Sequence, residues 1–367
     1  MKQFRNKIVI NNLSYFIIFK LARYLPQKIF DVLFDLVIYK VVVINLKYDS
    51  KYDFLKEVIE QLILNGTIVL VSDMEFITHK TNGLIIIDSD INRLLVEAKT
   101  IYSNYWLWRS TAHVYYRQLI KSDEVYKNKV LVQTAQNLVS MILPTCRPQN
   151  IDLIITNIGR QNYFNLELIV ITQDYSSEQV TILKTKLNCL ANLRSFEIIE
   201  DNSSCNLGTR LNKAIKQSSG SFIAKVDDDD IYFDNYISDA MVPMLCFDCD
   251  IVGKKEVFIY LDGQDKTYLK FSEEFNCVTD FVAGATFLMR KMIFENIQFN
   301  TDKIKGVDTL LLLKAKAQGY KIYSADPFNF IIYRSKNISD HMWKITENDF
   351  LNSAKLITNG KASFINV

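Results

Sequence analysis

From residue 138 onward, short apolar runs alternate with longer amphipathic stretches, and polar turns separate them. Leu138–Leu143, Leu166–Thr172, Phe196–Ile199 and Ser221–Val226 read as strands. Ile151–Ile158, Gln179–Cys189 and the stretch from Asn206 to about Gln217 read as helices. Strands that are apolar at successive positions are buried on both faces, as in a parallel sheet. Parallel strands need crossover helices, so the pattern predicts a run of βα units in a doubly wound α/β sheet. Lys255–Phe271 reads as a hairpin around Asp262-Gly263. It leads to Phe281–Arg290 and to further strands at Tyr320–Ser324 and Phe328–Tyr333.

The first third repeats the alternation on a smaller scale. Asn12 to about Lys40 reads as helical with a break at Pro26. Val41–Leu46, Thr67–Val71 and Gly83–Ile87 read as strands, and Lys51–Leu64, Leu94–Tyr102 and Tyr105–Leu119 as helices. This predicts a smaller Rossmann-like α/β layer. Charged residues give way to a new strand within Asp123–Leu138, which divides the chain into a domain at 1–135, a second at 136–345 and a C-terminal tail at 346–367.

Composition narrows the class. A chain of 367 residues with 49% hydrophobic and 23% charged positions can bury a substantial core. A formal net charge of +2 argues against a dedicated nucleic-acid binder. Its six cysteines, all from Cys146 onward, suit reduced thiols in a cytoplasmic protein. Cys246-Phe-Asp-Cys249 has zinc-ligand spacing but no second pair, and is read as structural. The N-terminus shows no signal-peptide pattern. Its apolar region, Leu13 to Leu46, is interrupted by Lys20, Arg23, Lys28, Asp31, Asp35 and Lys40, so a membrane-spanning helix is not expected. Basic residues beside Phe16–Phe19 leave two readings, packing against the first domain or peripheral contact with an anionic membrane.

The candidate chemistry centres on Asp227-Asp228-Asp229-Asp230, which end the apolar run Ser221–Val226. Adjacent carboxylates repel one another unless a cation sits among them. A divalent ion answers that need and can hold a diphosphate as well. Ligands of open α/β sheets bind outside the carboxyl ends of the strands, where these acids fall. A solvated acidic turn is the bland alternative. Alternate residues of an extended segment share one side, which pairs Asp227 with Asp229 or, in the other register, Asp228 with Asp230.

Several motifs in order resemble the family 2 glycosyltransferases, inverting enzymes of the GT-A fold. They are Leu143-Pro-Thr145, Leu168-Ile-Val-Ile171, Gly208…Asn212-Lys-Ala-Ile, Gly220 through Asp230, Gly284 through Arg290, Gly306-Val-Asp308 and His341-Met-Trp343. The resemblance covers about residues 138–345. It implies a GT-A fold in which Asp227 and Asp229 hold Mn²⁺ or Mg²⁺ on the donor's diphosphate. His341 is a further metal ligand or a packing residue beside Trp343. Asp308 falls at the general-base position, and it also reads as a helix N-cap before Leu310–Leu313. Where relatives have Glu-Asp, this chain has Val307-Asp308. Pro144, Thr145, Arg147, Asp174, Gly208, Asn212 and Asp228 are the remaining candidate nucleotide contacts. Arg210 reaches the phosphates or lies solvated on a helix face. The first segment resembles the C-terminal half of GT-B-type, spore-maturation-like glycosyltransferases, through Phe54–Gly66, Asn82–Asp88 and His113–Arg117. With only one half present, it is expected to be non-catalytic.

These resemblances imply transfer of a sugar from a nucleotide-diphosphate donor, a UDP-sugar, to an oligosaccharide or lipid-linked glycan. The product would be a surface polysaccharide (capsule, lipopolysaccharide or wall polymer), made in the cytoplasm or at the inner membrane's cytoplasmic face. A non-catalytic sugar- or partner-binding member of an assembly complex is the alternative of another class.

Overall fold

The computed structural model describes residues 16–21, 41–46, 68–71, 85–87, 106, 110, 113, 117, 137–270, 275–303, 305–336, 351 and 354–367. Contacts divide the chain into two compact units, Met1–Asp123 and Glu124–Val367.

In the first unit, strands β1 (Phe16–Leu21), β2 (Val41–Leu46), β3 (Ile68–Val71) and β4 (Ile85–Ile87) form one parallel sheet. The expected helix over Asn12–Lys40 is corrected by β1. Phe16-Ile-Ile-Phe19 is a short aromatic and β-branched run, which periodicity cannot assign and which pairing with β2 settles as a strand. The described strands lie side by side in chain order, with no reversal among them. Residues 106, 110, 113 and 117 are helical, and His113 is buried. The helices expected over 51–64 and 94–102, together with His79, His341 and Trp343, lie outside the described residues.

The second unit is built on an eight-stranded sheet. Its elements are β5 (Val139–Thr145), α1 (Ile151–Gly159), β6 (Leu166–Thr172), α2 (Ser177–Leu187), β7 (Leu193–Glu200), α3 (Leu207–Gln217) and β8 (Phe222–Lys225). They form the expected βα succession, and β6, β5 and β8 pair in parallel. The chain runs outward through β5, β6 and β7, then returns to place β8 on the other side of β5. That reversal leaves a crevice at the carboxyl ends of β5 and β8. Beyond β8 come β14 (Leu288–Arg290), β10 (Ile251–Gly253), β15 (Ile322–Ser324) and β13 (Cys277–Val278).

Side-chain alternation puts the strands between two cores. Met141, Leu143, Leu168 and Val170 pack with Ile154, Ile158, Leu183 and Leu187 of α1 and α2, in a cluster that also holds Ile237 and Met241 of α4 (Tyr236–Cys246). Ile142, Ile169 and Ile171 pack with Leu211 and Ile215 of α3, and with Leu311 and Leu312 of α5 (Val307–Ala317). Each such aliphatic side chain removed from water stabilises the fold by roughly 1.5–3 kcal/mol. Helix α2 starts at a capping box between Ser176 and Gln179.

A second sheet of five strands follows the order β17, β12, β11, β16, β9. It contains β9 (Ile231–Tyr232), the hairpin β11 (Val257–Leu261) and β12 (Lys266–Lys270), β16 (Phe330–Arg334) and β17 (Ala354–Asn359). The expected C-terminal tail therefore supplies an edge strand. Its last residues also bond back to the fold, where Asn329 N–H donates to the Ile365 carbonyl and Asn235 Nδ2 to Val367 O. The four acids occupy the turn between β8 of the large sheet and β9 of the small one.

Candidate active site

Strand β5 continues past the end of β8, pairing with it only from Val139 to Ile142. Pro144 falls beyond that point, where its missing N–H breaks no ladder to β8. The chain then turns through Thr145 and Arg147 beside the acids. Arg147 reaches Asp228 through Nε (3.1 Å) and Nη2, and Asp229 through Nη1 (2.8 Å). Burial opposes its charge, but Asp228 and Asp229 outweigh that and push its pKa further up. Thr145 Oγ1 also donates to Asp228, and the Tyr175 hydroxyl donates to the Arg147 carbonyl at 3.1 Å.

The four acids separate by alternation. Asp227 and Asp229 keep 33% and 24% of their side-chain surface exposed, against 3% for Asp228. Asp230 is buried too, and its Oδ1 accepts from Tyr333 N–H at 3.2 Å. Burial raises the pKa values of Asp228 and Asp230, which Arg147 counters at Asp228. Helix α1 and Asn150 at its N-cap hold the turn's backbone, with Asn150 Nδ2 donating to the Asp228 carbonyl (3.1 Å) and Asn157 Nδ2 to that of Asp230 (2.8 Å). The Tyr232 hydroxyl accepts from Asp227 N–H at 2.9 Å and donates to the Ala285 carbonyl at 2.8 Å.

Asp308 comes to the same place from α5. The N-cap of that helix is Gly306 in the left-handed region (φ 73°), so Asp308 is not the cap. It lies in the first turn, where free N–H groups favour an anion. Its Oδ2 is 3.5 Å from Lys225 Nζ, which is itself 2.7 Å from Asp227 Oδ1. The Asp308 Oδ1 atom is buried with no hydrogen-bond partner. Burial raises the Asp308 pKa, and Lys225 pulls against it. Gly284 backs this carboxylate so closely that a Cβ there would sit 2.0 Å from Oδ2.

Other expected contacts have different partners. Asn212 clamps the backbone of Phe299, accepting its N–H (3.0 Å) and donating to its carbonyl (2.9 Å). Gly208 is needed by a backbone neighbour, since a Cβ there would meet the Asn300 carbonyl at 2.0 Å. Both residues pack α3 against the segment before α5. The Asp228 carboxylate is likewise occupied by Arg147 and Thr145. Arg210 donates to the Ser203 carbonyl at 2.8 Å, with Nε buried and unbonded. Asp174 adopts a left-handed conformation (φ 59°) in the loop after β6, and its N–H donates to Asn202. Lys225, Tyr232 and Tyr175 were not among the candidates. The available signal for Lys225 was a single charge inside an otherwise apolar strand.

Hard oxygen donors such as Asp227 and Asp229 suit Mn²⁺ or Mg²⁺. Among the described residues, no group of three or more His, Cys, Asp or Glu side chains is placed to hold an ion. An ion at this pair would therefore need ligands from a bound diphosphate or from outside the described residues. Nor is any described helix long and apolar enough to cross a membrane.

Residues 140–309, just under half of the chain, match the family model described as Glycosyl transferase family 2, and their α/β fold is GT-A-like. Similar solved structures include TarS residues 1–349 from S. aureus, at 19% identity and a TM-score of 0.42, over 53% of this chain and 60% of that one. The same protein in complex with UDP-GlcNAc aligns at 18% and 0.44, over 59% and 64%. The mannosyltransferase PcManGT from Pyrobaculum calidifontis, in complex with GDP-Man and Mn²⁺, aligns at 16% and 0.41, over 53% and 56%. The chain thus spans less than two thirds of each. No curated protein matches it.

Proposed function

We propose that the second unit is a metal-dependent inverting glycosyltransferase. It moves a sugar from a nucleotide-diphosphate donor, a UDP-sugar, to a hydroxyl of a growing surface polysaccharide. The observation that carries this reading is a convergence at the switch point of the sheet. Two partly exposed acids, Asp227 and Asp229, meet there a third, Asp308, that shares an ammonium with the first. Asp227 and Asp229 would hold Mn²⁺ or Mg²⁺. A bound ion supplies Lewis-acid stabilisation to the leaving diphosphate. Arg147 stands beside the same acids and offers the leaving group a planar cation. Asp308 takes the acceptor hydroxyl's proton through its unpartnered Oδ1, and its raised pKa suits a base. The first unit is read as non-catalytic, because its described strands have no reversal at which a ligand crevice forms.

One observation favours a second reading, a sugar-binding protein without turnover. Lys225 and Arg147 already neutralise Asp227 and Asp229. Nucleoside diphosphate release from a panel of nucleotide sugars, with Mn²⁺ and with EDTA, separates the two. Release that EDTA abolishes supports the transferase. Mn²⁺-dependent thermal stabilisation without release supports the binder, since a ligand specific for the native state raises its melting point.

A further inference from the structure

Lys225 is the last residue of β8, in the middle of the large sheet, and its side chain is 1% exposed. A buried ammonium is costly unless it is paired. Lys254, also buried, pairs with a single carboxylate, Asp326 at 3.7 Å, and donates to the same residue's backbone carbonyl at 2.7 Å. Lys225 instead contacts two carboxylates from distant parts of the chain, Asp227 at 2.7 Å and Asp308 at 3.5 Å.

The two oxygens of Asp308 differ. Oδ2 faces the ammonium and lies against Gly284, where there is no room for a methyl group. Oδ1 is buried and makes no hydrogen bond. The terminal torsion of an aspartate is soft, with a broad and roughly two-fold preference. Nothing in α5 itself holds the carboxylate plane, so its orientation depends on what touches Oδ2.

We propose that Lys225 is a positioning residue for the transfer. It holds Asp308 by Oδ2 so that the lone pairs of Oδ1 point at the acceptor hydroxyl, and it ties that orientation to Asp227 on the donor side. The inference rests on the reading of Asp308 as general base. In the step it serves, the acceptor's O–H proton goes to Asp308 Oδ1, and the freed electron pair forms the new bond to the anomeric carbon. The bond from that carbon to the diphosphate breaks, and its electron pair leaves on the diphosphate oxygen. Lys225 neither gives nor takes a proton.

The experiment compares Lys225→Met, Lys225→Arg, Asp308→Asn and the double variant Lys225→Met/Asp308→Asn. It measures kcat for nucleoside diphosphate release from UDP-GlcNAc and GDP-mannose, UDP affinity in Mn²⁺ by calorimetry, and melting temperature. A misdirected base lowers kcat of Lys225→Met by about 10- to 100-fold. UDP affinity holds or tightens, because Asp227 is released from its ammonium. Lys225→Arg, which keeps the charge, recovers part of the loss. In the Asp308→Asn background, Lys225→Met changes kcat less than about twofold, the signature of two residues acting as one unit. Wild-type kcat in Lys225→Met, or losses that multiply in the double variant, overturns the inference while the role of Asp308 stands. If Lys225→Met does not fold, Lys225→Arg decides: lowered kcat at unchanged UDP affinity supports the inference, and lost UDP affinity at unchanged kcat overturns it. Asp308→Asn with wild-type turnover removes the reading of the base, and the inference with it.

Discussion

The large sheet of the second unit has a carboxylate at each end of its central strands, Glu167 buried and Asp308 partly exposed with its Oδ1 buried, and the two have opposite surroundings. At the amino ends, Glu167 of β6 accepts from Ser140 Oγ, from Ser219 N–H at 2.8 Å and from Ser219 Oγ at 2.6 Å. Burial pushes its pKa up, but those donors outweigh it and hold the carboxyl below the usual glutamate range. At the carboxyl ends, Asp308 keeps an oxygen with no donor, and burial holds its pKa up. Desolvation pushes both carboxyls up; they differ in their hydrogen-bond inventories and in the ammonium that faces Asp308. A completed inventory joins strands, whereas an incomplete one leaves an oxygen for a molecule yet to arrive.

The sharpest break of this comparison is Asp308→Asn. It should lower kcat for nucleoside diphosphate release by about 10²–10⁴-fold, the usual worth of a positioned base. The melting temperature should hold or rise, because the unpartnered Oδ1 loses its charge while Lys225 keeps Asp227 as a partner. Steady-state kinetics and calorimetry on the same preparation check both halves.

Gly284→Ala tests the same end without touching a charge. A methyl group 2.0 Å from Asp308 Oδ2 must displace the carboxylate. Displacement by about an ångström costs on the order of 10²-fold in kcat, and overpacking costs about 1–3 kcal/mol of stability. A crystal structure of the variant with Asp308 in place and kcat unchanged would sink the geometry argued above.

At the other end, Glu167→Gln should cost about 1–3 kcal/mol of stability, because it breaks a satisfied buried network. Turnover per folded molecule should not change. The pH dependence has a definite sign. A folded-state pKa below the unfolded value, about 4.3 for glutamate, gives stability that is present above that value and lost as pH falls through the folded one. The melting difference between wild type and Glu167→Gln should be full at neutral pH and shrink under acid. A constant difference would mean that the charge is not what those donors recognise.

The smallest effect is expected at Asn212→Ala. Removing the clamp on Phe299 should cost about 1–2 kcal/mol and leave UDP affinity in Mn²⁺ within twofold. A large loss of affinity would mean that Asn212 contacts the nucleotide as well as Phe299.

Much of the fold was legible because local patterning and global topology agree in this unit. The run Leu166–Thr172 is buried at every position, and its strand boundaries follow from composition alone. Asp227–Asp230 could be placed at a strand's carboxyl end by counting residues. Phe16–Leu21 was not legible, since a short apolar run takes its conformation from its neighbour. At the site, Asn212 and Gly208 carry the right residue types in the right motif, yet both face a backbone segment ninety or so positions later. Nothing local distinguishes an amide that meets a nucleotide from one that meets a carbonyl.

The sequence by itself determined the βα order, the acid cluster at the end of β8 and the match of residues 140–309 to a family model, because these depend on patterns within a few residues and on motif order. Only the tertiary structure decided which two acids face outward, that Arg147 and Lys225 neutralise them, that Asp308 keeps an oxygen unpaired and that residues 354–359 close the second sheet. Those outcomes depend on which distant groups share a buried volume, and burial sets the strength of every charge within it.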